Sequence, residues 1–289
     1  MRNAKLSARA AGLTASRRGD SRRRDGAAGA TSPLAAQPGG RVLILVNLES
    51  AEERRRVMLR QLATIGVEPL RVGIDLRDAT HAGVRRWFDT RFQHLGFDHG
   101  VLSNAEIGCW ASHLTAWWTL LHTDGARACT VLEDDLLLKP GFGAAIAGLE
   151  MQDAFDVVYL GTSSKNISER RRTSIGRLHV HQPVGVIFNT WGYVITRRYA
   201  ERFFASDGMR IDMPIDHFLG GRARWLKPSI AVLRPAVVTE HPTLGAHSQI
   251  SPYTAAIDRI DRWPAYQKAR RALLSSKVSD LYYSLYRLL

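Results

Sequence analysis

Three adjacent carboxylates, Glu133-Asp134-Asp135, follow directly on the apolar pair Val131-Leu132. Like charges this close repel one another, and each is costly to bury without a partner. A divalent cation relieves that repulsion. Hard oxygen donors at a strand end suit Mg²⁺ or Mn²⁺, which keep coordination positions open for phosphate oxygens. Along an extended backbone Glu133 and Asp135 share one face and Asp134 takes the other. Glu133 and Asp135 are therefore expected to hold the cation, with Asp134 among the groups that bind the rest of the ligand. The competing reading is a solvated acidic turn.

Such a triplet needs a rigid strand behind it and a sheet around it. Val42-Leu43-Ile44-Leu45-Val46 is a continuous apolar run, the pattern of a strand buried on both faces. Ser50 with Glu53 reads as a capping box for a helix carrying Val57, Met58, Leu62 and Ile65 on its apolar side and ending at Gly66. Residues 68–74 read as a second strand. This β-α-β start predicts an open sheet that takes ligands at the carboxyl ends of its strands. Residues 75–102 read as irregular or partly helical. Ser103 with Glu106 is a second capping box, opening a helix through Trp110, His113, Leu114, Trp117 and Leu121. Residues 128–132 form the strand that delivers the triplet. Strands are also expected at 156–160 and 191–195, and helices at 142–149 and 196–205. Residues 212–220 read as a short helix or turn. The polar stretch 162–182 reads as a surface loop or lid. Residues 230–238 read as a last strand interrupted by Pro235, hence an edge.

Five segments resemble glycosyltransferase family 25, the group of bacterial lipooligosaccharide galactosyltransferases and collagen galactosyltransferases. They are Val46-Asn47-Leu48 with Arg54-Arg55; Glu106-Ile107-Gly108-Cys109-Trp110-Ala111-Ser112-His113; Val131 to Asp135; Trp191-Gly192-Tyr193-Val194-Ile195; and Pro214-Ile215-Asp216. They stand in the family's order across residues 41–250. The resemblance implies a GT-A-like α/β fold with a mixed, mostly parallel sheet flanked by helices. It also implies a UDP-sugar donor, a Mn²⁺ or Mg²⁺ cofactor, and transfer of galactose or glucose to a glycan hydroxyl with inversion. A bound metal stabilises the charge that grows on the departing diphosphate. Inversion in one displacement needs a side chain to take the acceptor's proton. Asp216 is the first candidate for that base and Glu106 the second, although the capping box alone accounts for Glu106. His113 lies two helical turns beyond Glu106 on the same face and joins the catalytic set. Asn47 and Arg54, or its neighbour Arg55, join Asp134 as donor-binding candidates. GT-A enzymes often add a late histidine to the metal shell, for which His241, or else His247, is in position. Trp110, Trp117, Trp118 and Trp191 read as packing residues before sugar-stacking ones.

The remaining signals bound the partners. The chain of 289 residues carries a net charge of +13, and the ends hold most of it: +7 over residues 1–41 and +4 over residues 255–289. The body is nearly neutral, which argues against nucleic acid as partner. Residues 1–40, rich in Arg, Ala, Ser and Gly, read as a disordered extension, in preference to the alternative reading of the same residues as a transit peptide. Residues 251–289 read as a basic amphipathic helical tail suited to an anionic membrane surface, where lipid-linked acceptors reside. With no secretory apolar segment or spanning helix, the expected location is cytoplasmic, peripheral on the inner membrane. Cys109 and Cys129 match no zinc spacing and read as thiols in or near the core. Two other functions share the same logic: a metal-dependent nucleotidyltransferase, and a non-catalytic glycan- or membrane-binding protein.

Overall fold

Strand β1 (Val42–Val46) lies inside an eight-stranded sheet, and its side chains alternate between two separate cores. Val42 and Ile44 pack on one face, Leu43 and Leu45 on the other. Both faces are covered, so every position along the strand is apolar. The computed structural model describes residues 42–244, apart from 98–101, 186, 188, 207–208, 212, 223–225 and 227. The extension 1–40, the tail 251–289 and His247 lie outside the described residues.

The sheet order is β2 (Leu70–Val72), β1, β4 (Ala128–Glu133), β9 (Gly192–Thr196), β6 (Val157–Tyr159), β11 (Ile230–Arg234), β8 (Leu178–Pro183) and β7 (Ile167–Ile175). Strands β2, β1 and β4 are parallel. Strand β9 runs antiparallel to both β4 and β6, β11 is parallel to β6, and β8 is antiparallel to β11 and β7. All strands but β9 and β8 therefore point one way, as the sequence led us to expect. Two short ladders flank the sheet: β3 (Gly96–Phe97) with β10 (Arg210–Ile211), and β5 (Leu136–Leu138) with β12 (Val238–Glu240).

Helices cover both faces of the mostly parallel sheet, completing a layered α/β fold. Helices α1 (Glu52–Ala63) and α4 (Phe142–Leu149) bury Met58, Leu62, Phe142 and Ile146 against one side. Helices α2 (His81–Arg91), α3 (Asn104–Leu121) and α5 (Arg197–Phe204) fill the other side with Phe88, Trp110, Trp117 and Phe203. The Trp117 and Phe203 rings meet edge to face at 4.9 Å. Trp110 and Trp117 are thus core residues, as their spacing suggested, while Trp118 is exposed.

Three local expectations are corrected. Helix α1 starts after Ala51 with no side-chain cap, and Ser50 instead accepts a hydrogen bond from Arg77. Residues 162–182 are not a loop: β7 and β8 form a hairpin turning at Gly176 (φ 57°), a position that needs φ > 0 and so favours glycine. Arg170 and Arg172 keep the outer strand polar, which suits a sheet edge and hides the strand from a hydrophobicity reading. Strand β11 is interior, between β6 and β8, because Pro235 follows the strand rather than interrupting it.

Candidate functional site

Parallel pairing sets the ends of β2, β1 and β4 side by side, with the start of antiparallel β9 next to them. That edge opens into a cleft lined by Asn47, Arg54, Ile74, Asp75, Arg77 and the carboxylate triplet, among others. The carboxyl end of an open sheet is where ligands are expected.

Each carboxylate of the triplet has different surroundings. Asp134 turns inward and is buried. It accepts hydrogen bonds from Asn47 Nδ2 at 2.8 Å and Arg54 Nη1 at 2.9 Å. Burial raises its pKa above the ordinary carboxylate value, and these two partners offset part of that effect. Arg54 Nη1 also reaches Asp135 Oδ2 at 3.3 Å, and its Nη2 bonds the Leu244 carbonyl. Asp135 Oδ1 is buried with no hydrogen-bond partner among the described residues. Burial, then the charge of Glu133, push the Asp135 carboxyl up to about 7 against the pull of Arg54. A buried carboxylate oxygen with no donor, beside a second carboxylate, fits a hard divalent cation. Glu133 accepts a hydrogen bond from the Thr190 hydroxyl.

Helix α3 supplies the opposite wall. Ser103 Oγ accepts from the Glu106 amide, and Glu106 Oε2 accepts from the Ser103 amide at 2.7 Å, so the second capping box forms as read. His113 is fully buried, its Nδ1 2.7 Å from the Tyr193 hydroxyl, which also accepts from Trp117 Nε1 at 2.9 Å. His113 Nε2 lies 3.6 Å from Glu133 Oε1. Asp216 is the middle residue of α6 (Ile215–His217). Its Oδ1 accepts from the His217 amide at 2.8 Å, and its Oδ2 is 3.5 Å from the Asn189 amide.

Cys109, on helix α3, also lines the cleft. Burial, followed by the charges of Glu133, Asp216, Glu106 and Asp135, holds its thiol well above the ordinary thiol value. His241 is placed differently. Its amide bonds the Asp135 carbonyl at 2.7 Å, while its ring Nδ1 faces the Thr243 hydroxyl at 3.1 Å. Arg54, not Arg55, lines the cleft.

The sequence model of glycosyltransferase family 25 (LPS biosynthesis protein) matches residues 41–219. The chain belongs to glycosyltransferase family 25. It is 30% identical over 127 residues to procollagen galactosyltransferase 1 of Danio rerio, a match covering 42% of this chain and 21% of that protein. It is 26% identical over 191 residues to a glycosyltransferase 25 family member of Anopheles gambiae, covering 61% of this chain and 31% of that one. It is also 28% identical over 125 residues to the inactive glycosyltransferase 25 family member 3 of Homo sapiens, covering 41% and 20%. These matches therefore span less than a third of each relative's length.

Family-25 residues on α3 have a packing role that their types alone do not disclose. A Cβ on Gly108 would meet the Ile74 carbonyl at 2.8 Å, so only glycine lets α3 approach the end of β2 this closely. Ser112 Oγ then accepts from the Ile74 amide and donates to the Gly108 carbonyl, both at 2.9 Å. Ile74-Asp75-Leu76-Arg77, passed over in the sequence, lines the cleft. Asp75 and Arg77 form an ion pair there, and mutual hydrogen bonding lowers the Asp75 pKa. An Asp-x-Arg just past a predicted strand end was the signal for them.

Proposed function

We propose that this chain is a metal-dependent hexosyltransferase that moves galactose or glucose from a UDP-sugar to a glycan hydroxyl with inversion. The observation that carries this reading is the unpartnered Asp135 Oδ1, buried beside Glu133 in a cleft at the carboxyl edge of the sheet. Glu133 and Asp135 are the residues proposed to hold Mn²⁺ or Mg²⁺, which would stabilise the leaving diphosphate. Arg54 neutralises part of the triplet's charge and fixes the carboxylates of Asp134 and Asp135. Asn47 and Asp134 bind one another at the floor, and Asn47 Oδ1 has no hydrogen-bond partner among the described residues. Asp216 Oδ2, whose contact with the Asn189 amide among the described residues is a long 3.5 Å, is the proposed acceptor of the hydroxyl proton. The family's description names LPS biosynthesis, which supports a lipid-linked oligosaccharide or surface glycan as acceptor. No helix among the described residues is long and apolar enough to cross a membrane.

The test is a screen of UDP-sugars with glycan acceptors, with and without Mn²⁺, on the wild type and on Asp135→Asn. Metal-dependent release of UDP with a transferred sugar, lost in the variant, is the expected result. Release of pyrophosphate would show nucleotidyl transfer instead. A second reading, donor binding without turnover, is favoured by the relatives whose names include the word inactive. Binding of UDP-sugar with no product from any acceptor would select it.

A further inference from the structure

Cys109 and His113 sit one turn apart on α3, so their side chains leave the same face of the helix. Strand β4 ends opposite them with Glu133. One ligand atom from each of these three residues lies within 4.8 Å of the other two. His113 is 0% exposed, and its Nε2, aimed into this cluster, has no hydrogen-bond partner among the described residues. The 3.6 Å gap between Nε2 and Glu133 Oε1 is too long for a hydrogen bond. It is close to the separation of about 3.3–3.6 Å between two ligands of one tetrahedral zinc ion.

We infer that Cys109, His113 and Glu133 form a second cation site, for an ion of the Zn²⁺ class, separate in chemistry from the all-carboxylate pair Glu133 and Asp135. Thiolate and imidazole donors select such an ion over Mg²⁺ or Mn²⁺. Binding breaks the Cys109 S–H bond, forms the Sγ–metal bond and releases the proton to solvent. His113 binds as the neutral ring with its proton on Nδ1, donated to the Tyr193 oxygen, the orienting contact that ligating histidines ordinarily have. Three protein ligands leave a fourth position for water. Cys109 and Glu133 both line the cleft, which is the entry path. The two sites share Glu133, so a Zn²⁺-class ion draws that carboxylate away from the donor site and opposes Mn²⁺. That consequence rests on the proposed function. The binding itself does not, and it is read without donor or acceptor.

The experiment is a titration of the full chain with Co²⁺, which reports a bound thiolate by a near-ultraviolet charge-transfer band. The expected result is a band at one equivalent, displaced by Zn²⁺, retained in Cys129→Ser and absent in Cys109→Ser. Zn²⁺ affinity, by competition with a chromophoric chelator, should fall roughly tenfold or more in Cys109→Ser. A band that persists in Cys109→Ser, or no band in the wild type, overturns the inference. Should Cys109→Ser fail to fold, the wild type alone suffices. Zn²⁺ should then slow alkylation of Cys109 by iodoacetamide, followed by peptide mass, and an unchanged rate overturns the site.

Discussion

Arg54 Nη1 lies 2.9 Å from Asp134 Oδ1, joining the first helix to the end of β4 across 80 residues of sequence. Both side chains are about nine-tenths buried, so the pair is a fixed part of the site. Removing one partner from a buried pair leaves the other charge uncompensated. Arg54→Ala should therefore destabilise the fold by about 3 kcal/mol, measured by urea denaturation. A loss within about 0.5 kcal/mol, the range of a surface change, would show that Arg54 does not anchor the triplet.

Asp135 predicts a pH dependence. Burial and the neighbouring Glu133 charge push its carboxyl up to about 7, above the ordinary carboxylate value. The stability contributed by its protonated form is complete below about pH 4 and is lost as pH rises through about 7. In EDTA, unfolding free energy should fall over that window, and Asp135→Asn should flatten the fall. A slope identical in the variant would refute the assignment. Mn²⁺ affinity should change in the opposite sense, weakening as the pH drops and protons compete for the carboxylate.

Gly108→Ala should damage the site without touching a charged group. The added Cβ would meet the Ile74 carbonyl, backbone that cannot move aside cheaply. Thermal and urea unfolding should show a loss of about 1–3 kcal/mol. A variant as stable as the wild type would mean that α3 does not need this close approach.

Tyr193→Phe removes the hydroxyl shared by Trp117 Nε1 and His113 Nδ1. It strands a buried indole N–H, at a cost of about 1–3 kcal/mol. The same variant should weaken Zn²⁺ binding, because His113 loses the group that orients its ring. Unchanged zinc affinity alongside lowered stability would confine Tyr193 to packing.

Asp156 is a check on the frame away from the cleft. Burial opposes its ionisation, but Arg202, the Ser229 amide and Arg198 hold its pKa below the usual carboxylate value. Its contribution is present above the ordinary carboxylate pKa and is lost as pH falls through the lowered one. Asp156→Asn should lower stability at neutral pH and lose less of it on acidification. Equal acid sensitivity in both proteins would contradict this role.

Local signals were legible in the sequence because they depend on neighbours in the chain. The unbroken apolar run of β1, the Ser103–Glu106 capping box and the carboxylates at the end of β4 all formed where periodicity and capping chemistry put them. The β7–β8 hairpin was missed because an edge strand with one polar face carries little hydrophobic signal. Ser50 was misread because a Ser-x-x-Glu spacing is necessary for a capping box but does not decide where the helix begins.

The sequence by itself determined the family, the α/β class and the strand that carries the acidic triplet, since ordered motifs and residue periods survive without any long-range contact. Only the tertiary structure decided which charged side chains meet. It chose Arg54 over Arg55 and turned Asp134 inward onto Asn47. It also closed Cys109, His113 and Glu133 into one cluster. The cause is strand order: placing β4 between β1 and β9 brings α1, α3 and the start of β9 to one sheet edge, an adjacency that no spacing along the chain encodes.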